Sequence, residues 1–257
     1  MSTEPWESLS VTVIQAAASL DPAENRAFVE ALDITTDLAV LPEAFARDFG
    51  PVDDDLGRYA EPLDGPFARA VADHGPATLV AGMFEATDDL PFNTLVTSQG
   101  DHYRKIHLYD SFGYKESDRL KPGPTRPTVI EVAGVPTGLM TCYDLRFPEM
   151  ARALVDAGAE VIVVPAAWVA GEGKVDAWRT LIRARAIENT VFIVAAAQPA
   201  PRYSGHSMIV GPLGEVLAEL AESECGQAHA TLERGRLESA RSRNPSLENR
   251  RLGAQTG

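Results

Sequence analysis

Val135-Pro136-Thr137-Gly138-Leu139-Met140-Thr141-Cys142-Tyr143-Asp144-Leu145-Arg146-Phe147-Pro148-Glu149-Met150 is the stretch that decides the fold. Val135 to Thr141 is apolar and contains a glycine, so it reads as a buried strand that delivers Cys142 at its end. Pro148-Glu149-Met150 opens a helix, because proline at a first helical position costs no hydrogen bond and presets φ. That helix runs through Leu154 and Val155 and stops at Gly158. Val161-Ile162-Val163-Val164 is then a second buried strand. A strand, a tight turn, a helix and a second buried strand are the unit of a layered α/β fold.

The same alternation extends in both directions. Upstream, Val11 to Gln15 reads as a strand, and Asp21-Pro22-Ala23-Glu24 starts a helix with Asp21 as N-cap, its face continued by Phe28, Ala31 and Leu32. Leu38 to Leu41 is a buried strand ending at Pro42-Glu43. Phe67, Ala70 and Val71 form a helix face closed by Gly75. Leu79 to Phe84, Thr94 to Thr97 and His102 to Ile106 follow as strands, then a looser segment from Leu108 to Pro127. Ala133-Gly134 joins Thr128–Val132 to the strand at Val135 as a tight hairpin. Downstream, Trp178, Leu181, Ile182, Arg185 and Ile187 give a helix and Val191 to Ala196 a buried strand. His206–Val210 and Glu215–Leu220 read as a hairpin around Pro212-Leu213-Gly214. No repeat or linker divides the chain, so residues 1–257 are read as one domain, with a charged C-terminal arm from about residue 233 that is expected to reach a partner subunit.

Composition narrows the function. The chain has 257 residues, 45% of them hydrophobic, enough for a sizeable core. With 23 basic and 37 acidic residues the formal charge is −14. Nucleic acid and anionic membranes need a cationic face and are not expected partners. The N-terminal residues have neither the basic nor the apolar region of a secretory signal. The two cysteines, Cys142 and Cys225, exclude a disulfide scaffold and a cysteine-rich zinc site. A reducing, cytoplasmic setting is the expectation.

Three reactive side chains stand at strand ends: Glu43 after Leu38–Leu41, Lys105 in His102–Ile106, and Cys142 after Val135–Thr141. In α/β folds such positions converge on one crevice. A carboxylate there takes the thiol proton, an ammonium favours the thiolate and then an oxyanion, and the thiol becomes a nucleophile. Alone, each has a plainer role: an inert buried thiol, a solvated turn carboxylate, a surface lysine.

The segments Leu41-Pro42-Glu43-Ala44-Phe45, Tyr103-Arg104-Lys105-Ile106-His107-Leu108 and Thr141-Cys142-Tyr143-Asp144-Leu145-Arg146-Phe147-Pro148-Glu149 resemble the three signature motifs of the nitrilase superfamily of carbon–nitrogen hydrolases, in the family's order. Arg183–Asn189, Gly205–Met208 and Asn244–Arg251 also resemble family segments. The resemblance implies a four-layer α-β-β-α sandwich, a homodimer or larger homo-oligomer, and no metal or organic cofactor. It implies Cys142 as nucleophile, Glu43 as general base and Lys105 as stabiliser of the tetrahedral intermediate, with Glu116 as the second glutamate that orients the lysine and substrate. Tyr143 would offer a backbone N–H to the oxyanion, and Trp168 would line the substrate pocket.

Cys142-Tyr143-Asp144 differs from the Cys-Trp-Glu of nitrilases and resembles the amidase branch, the deaminated glutathione amidases and omega-amidases. The expected reaction is hydrolysis of a small linear amide through a cysteine thioester, with release of ammonia and a carboxylic acid. N-carbamoyl-amine or nitrile hydrolysis are the alternatives on the same fold, and a non-catalytic binding module or a thiol redox sensor the alternatives of another class. Arg146 and Glu149 are read as a buried ion pair fixing the turn, Asp144 as a turn cap, His107 as a structural hydrogen-bonder, His206 as the start of a strand, Trp178 as core, and Cys225 as uninvolved.

Overall fold

The computed structural model describes residues 5–252. In chain order its elements are β1 (Ser8–Gln15), α1 (Pro22–Glu30), β2 (Leu38–Val40), α2 (Pro66–Ala72), β3 (Thr78–Glu85), β4 (Phe92–Thr97) and β5 (His102–Arg104). A small hairpin, β6 (Asp110–Ser111) and β7 (Tyr114–Lys115), follows. The second half holds β8 (Thr128–Val132), β9 (Val135–Leu139), α3 (Pro148–Asp156), β10 (Val161–Ala166), α4 (Lys174–Asn189), β11 (Phe192–Ala197), β12 (Met208–Val210), β13 (Val216–Glu219), β14 (Gly226–Glu233) and α5 (Arg234–Arg243).

The strands form two six-stranded sheets, ordered β14-β1-β2-β3-β4-β5 and β13-β12-β11-β10-β9-β8. β1, β2 and β3 are mutually parallel, as are β9, β10 and β11, and the outer pairings are antiparallel. Period-two alternation assigns the faces. In β1 and β2, Leu9, Val11, Val13, Leu38 and Val40 point at the second sheet, where they join Val161–Val164 and Phe192–Ala197. Their neighbours Ile14, Ala39 and Leu41 point the other way, onto Val29 of α1 and Phe67 and Val71 of α2. Leu154, Trp178, Ile182 and Ala186 from α3 and α4 cover the outer face of the second sheet. The fold is therefore a four-layer α-β-β-α sandwich.

Several local expectations hold for the reason given. Asp21 caps α1, its Oδ1 accepting from the Ala23 N–H at 2.9 Å, with Pro22 next. The Ala133-Gly134 turn has φ of 47° and 80° at its two residues, the doubly left-handed turn that matches strand twist. Others are corrected. Phe28 is 40% and Ile187 43% exposed, so neither is core; α1 buries Asn25 and Val29 instead. His206 precedes β12 with a φ of 58° and does not begin the strand. β14 has no counterpart in the sequence reading, because its inward face presents Ala228 and Ala230 with Leu232 as its one large apolar side chain, yet it pairs with β1 over all eight residues.

After β14 the chain turns directly into α5, whose Leu237 and Ala240 are buried. Arg241 Nη1 donates to Glu160 Oε1 at 3.1 Å and Arg250 pairs with Asp156 at 2.7 Å, so this segment lies against its own chain. Among the described residues no helix is long and apolar enough to cross a membrane.

Candidate active site

Glu43 follows β2, and the chain around it keeps running beside β3. Leu41 N–H donates to the Val80 carbonyl at 2.9 Å, and Ala46 N–H to the Gly82 carbonyl at 2.9 Å. This close approach needs a glycine at position 82: a Cβ there would lie 2.4 Å from Ala44 N and 2.8 Å from Glu43 Cα. Ala44 itself takes a φ of 52°. The turn thereby aims the Glu43 side chain between the sheets, where it is 1% exposed.

Lys105 comes directly after β5, at the same edge of the sandwich. Its N–H donates to the Asn93 carbonyl at 2.8 Å, which extends the β4–β5 ladder by one residue. The Lys105 ammonium donates to Glu43 Oε1 at 2.8 Å and to both Glu116 oxygens at 3.1 and 2.9 Å. Asn93 Nδ2 donates to Glu43 Oε1 at 2.7 Å and to Glu116 Oε1 at 3.2 Å. Glu43 Oε2 accepts from the Ala167 N–H at 2.8 Å, and Glu116 Oε2 from the Tyr109 N–H at 2.6 Å. Two buried carboxylates are thus held beside one ammonium, with every carboxylate oxygen partnered, as buried charge requires.

Cys142 follows β9 in a short helical turn and has a φ of 45°. A non-glycine residue in the left-handed region is strained backbone, and such strain is concentrated at functional sites. The turn points the thiol into the same crevice. The structure therefore brings Glu43, Lys105, Glu116 and Cys142 together from four separate places in the chain, at the floor of a cavity of about 470 Å³. Tyr143 and Trp168 line it, as do Tyr109, Phe112, Arg119 and Lys174.

The charges act on one another. Burial, and then the Glu43 charge, hold the Cys142 thiol well above its ordinary value, while Lys105 pulls it down. Burial on its own disfavours a charged Lys105, but Glu116 and Glu43 outweigh it and keep the ammonium well above the usual lysine value. Burial raises the Glu116 carboxyl; Lys105 offsets part of that and the Glu43 charge adds to it. At neutral pH the resting site is accordingly a neutral thiol beside a charged ammonium.

The carbon–nitrogen hydrolase profile matches residues 9–242, nearly the whole chain. The chain belongs to the carbon–nitrogen hydrolase family. Among its relatives, a deaminated glutathione amidase of Escherichia coli O157:H7 is 38% identical over 233 residues, covering 87% of this chain and 88% of that one. A carbon–nitrogen hydrolase superfamily protein of Xanthomonas campestris with an arsenic adduct in its active site superposes with a TM-score of 0.84 at 28% identity, covering 96% and 98% of the two chains. A variant of an amidase from Nesterenkonia sp. AN1, carrying the acetamide moiety of fluoroacetamide covalently on its active-site cysteine, superposes with a TM-score of 0.77 at 26% identity, over 98% and 97%.

Within this carbon–nitrogen hydrolase, other expected placements resolve as follows. Arg146 and Glu149 make no ion pair: Glu149 is exposed, and the Arg146 guanidinium lies over the Trp168 ring, 4.9 Å from its centroid. Helix α3 carries Glu149 in its first turn, out toward solvent, whereas Arg146 precedes the helix. Asp144 does cap its turn, accepting from the Thr141 N–H at 2.9 Å. His107 is a hydrogen-bonder to Asp144, and His206 pairs with Glu219 at 3.0 Å. Trp178 is fully buried, and Cys225 is exposed on the surface.

Asn93 is the site residue that the sequence reading missed. The signal was Asn93 beside Phe92: β4 begins at Phe92, two residues before the expected start, and that places the amide in the sheet. Gln198, directly after β11, was missed too; its Nε2 donates to the Glu43 carbonyl at 3.1 Å. Lys174 at the mouth gave no signal, because its role depends on packing: its ammonium lies 3.9 Å from the Phe112 ring centroid and donates to Tyr109 Oη at 3.0 Å. Among the described residues no cluster of His, Cys, Asp and Glu has the makings of a metal site.

Proposed function

We propose that the protein hydrolyses the C–N bond of a small linear amide through a thioester on Cys142, releasing ammonia and a carboxylic acid. The observation that carries this reading is the Lys105 ammonium, shared by Glu43 and Glu116 and buried beside the Cys142 thiol.

A thiol held above its ordinary value is not a resting thiolate, so its proton must leave as the nucleophile attacks. No histidine lines the cavity among the described residues, and Glu43 is the carboxylate positioned for that transfer. Glu43 takes the proton, and the Cys142 sulfur bonds to the amide carbon. The carbonyl π electrons move to oxygen, where Lys105 and the Tyr143 N–H stabilise the charge. As the carbonyl re-forms, the C–N bond breaks, and Glu43 returns the proton to the leaving nitrogen. Ammonia departs. A water then gives a proton to Glu43 and attacks the thioester; the C–S bond breaks and the thiol regains its proton. Glu116 keeps the Lys105 ammonium charged and fixed throughout, and Trp168 walls the acyl side.

The similarity to a deaminated glutathione amidase and to an amidase modified on its cysteine supports the choice of an amide over a nitrile. The test is ammonia release across linear amides, nitriles and N-carbamoyl amines, with mass spectrometry of the protein under turnover. An amide should yield ammonia with its acid and an acyl adduct on Cys142. Carbon dioxide with ammonia from a carbamoyl compound alone, or an adduct confined to Cys225, overturns the proposal.

A further inference from the structure

We propose that Asp144 is a positioning residue that fixes the Lys105 segment against the Cys142 turn, so that the ammonium and the thiol keep their spacing. The inference rests on the reading of Lys105 and Cys142 above, and deepens it.

Asp144 is fully buried and has no cationic lysine or arginine partner among the described residues. Its charge is met by directed hydrogen bonds. Oδ1 accepts from the His107 N–H at 3.0 Å and pairs with His107 Nδ1 at 2.7 Å. Oδ2 accepts from the Tyr103 hydroxyl at 2.7 Å and from the Thr141 N–H at 2.9 Å. Two oxygens with two partners each use the acceptor capacity of a carboxylate in full. The partners have a pattern. Tyr103 and His107 lie two residues either side of Lys105, and Thr141 is the residue before Cys142. The Tyr103 oxygen also accepts from the Ile106 N–H at 3.2 Å, which draws in the residue after Lys105.

Among the described residues, the hydrogen bonds that join these two segments all end on Asp144. Lys105 follows β5 at the edge of one sheet, and Cys142 follows β9 in the other. Apolar packing between the sheets does not by itself fix the direction in which these two segments face, because dispersion contacts are non-directional. Hydrogen bonds to a buried carboxylate are directional and expensive to leave unmade. His107 stacks on Phe147 at a centroid distance of 3.8 Å, which holds the ring that faces Asp144. Asn, isosteric with Asp, offers one acceptor oxygen and turns an NH₂ toward donors, so it cannot satisfy the four partners.

The experiment compares Asp144→Asn and Tyr103→Phe with the parent in a Cys225→Ser background. Alkylation of Cys142 by iodoacetamide is followed by mass spectrometry as a function of pH, alongside kcat and KM on an amide the parent accepts. Positioning predicts that both variants move the alkylation profile to higher pH and lower kcat by more than tenfold, with KM within about twofold. It also predicts that Asp144→Asn adds nothing further to the profile of Lys105→Met, since it acts through the lysine. Removal of an anion by itself eases deprotonation, so a profile shifted to lower pH in Asp144→Asn overturns the inference. So does a lowered Tm with an unmoved profile, or full additivity with Lys105→Met. If Asp144→Asn does not fold, Tyr103→Phe, which removes one donor and no charge, decides by the same profile. Should no amide be turned over by the parent, the amidase reading fails while the alkylation comparison still judges the positioning role.

Discussion

The floor and the mouth of the cavity are built on different principles. The floor is made at strand ends: Glu43 after β2, Lys105 after β5 and Cys142 after β9, joined by the buried Glu116. There each charge is buried and each carboxylate oxygen has a named partner. The mouth is made of loops. Phe112 at the tip of the β6–β7 hairpin is 74% exposed, Val52 70% and Val169 46%. Behind them Arg119 is buried and its guanidinium donates to the Phe49 and Asp54 carbonyls and the Tyr114 hydroxyl. Chemistry needs fixed geometry and dry charge, which a sheet edge supplies. Substrate selection tolerates, and uses, adaptable side chains on loops.

The comparison is broken most decisively at the floor. Cys142→Ala should lower ammonia release by more than about 10³-fold, because the covalent path is removed. Its thermal unfolding should stay near the parent's, since one small truncation rarely unfolds a core of this size. Turnover near the parent rate would sink the nucleophile assignment.

Lys105→Met should cost both activity and stability. It leaves Glu43 and Glu116 buried without their cation, and breaking a buried pair in this way costs roughly 3–5 kcal/mol. Urea unfolding measures it; an unchanged midpoint would show that the floor is not held by charge. The pH dependence has a definite sign. The native fold raises Lys105 above its unfolded value. The lysine's contribution is therefore complete below the unfolded value and is lost as pH rises through the native one. The stability gap between parent and Lys105→Met should narrow in strongly alkaline solution, where the native lysine loses its proton, and a gap that stayed unchanged there would contradict this.

Gly82→Ala sharpens the comparison, because residue 82 does not line the cavity. Its Cβ would meet the backbone of Glu43 and Ala44. Overpacking of this kind costs about 1–3 kcal/mol, and the displaced Glu43 should lower kcat more than it raises KM. An unaltered kcat would mean that the turn adjusts without moving the carboxylate.

The smallest stability effect belongs to the mouth. Phe112→Ala should change unfolding free energy by no more than about 0.5 kcal/mol, as exposed positions do. It should still change KM, or the ranking of amides in the ammonia assay. If instead it alters kcat alone and leaves the ranking intact, the division between floor and mouth is wrong.

Much of this was legible in the residues. Buried strands such as β9, β10 and β11 announce themselves as continuous apolar runs, and α1 and α3 by their opening prolines. The elements that were not legible have a common cause. β14 shows two small alanines and a single leucine, Leu232, on its inward face and is fixed by pairing with β1, far away in sequence. The β6–β7 hairpin is only four residues of ladder in a polar segment. The Arg146–Glu149 pairing failed because proximity in sequence does not fix direction: α3 turned one side chain to solvent, and Trp168 took the other.

The sequence by itself determined the alternation of strands and helices, and which thiol, carboxylates and amine stand at strand ends. Those are local properties, readable from apolar periodicity and from motifs a few residues long. Only the tertiary structure decided that Asn93 lies between the two glutamates, that Gly82 makes room for the Glu43 turn, and that Asp144 joins the Lys105 and Cys142 segments across the sheets. Each of these depends on residues distant in the chain meeting within hydrogen-bond or van der Waals reach. Such meetings are set by packing the two sheets together, and no short stretch of sequence contains them.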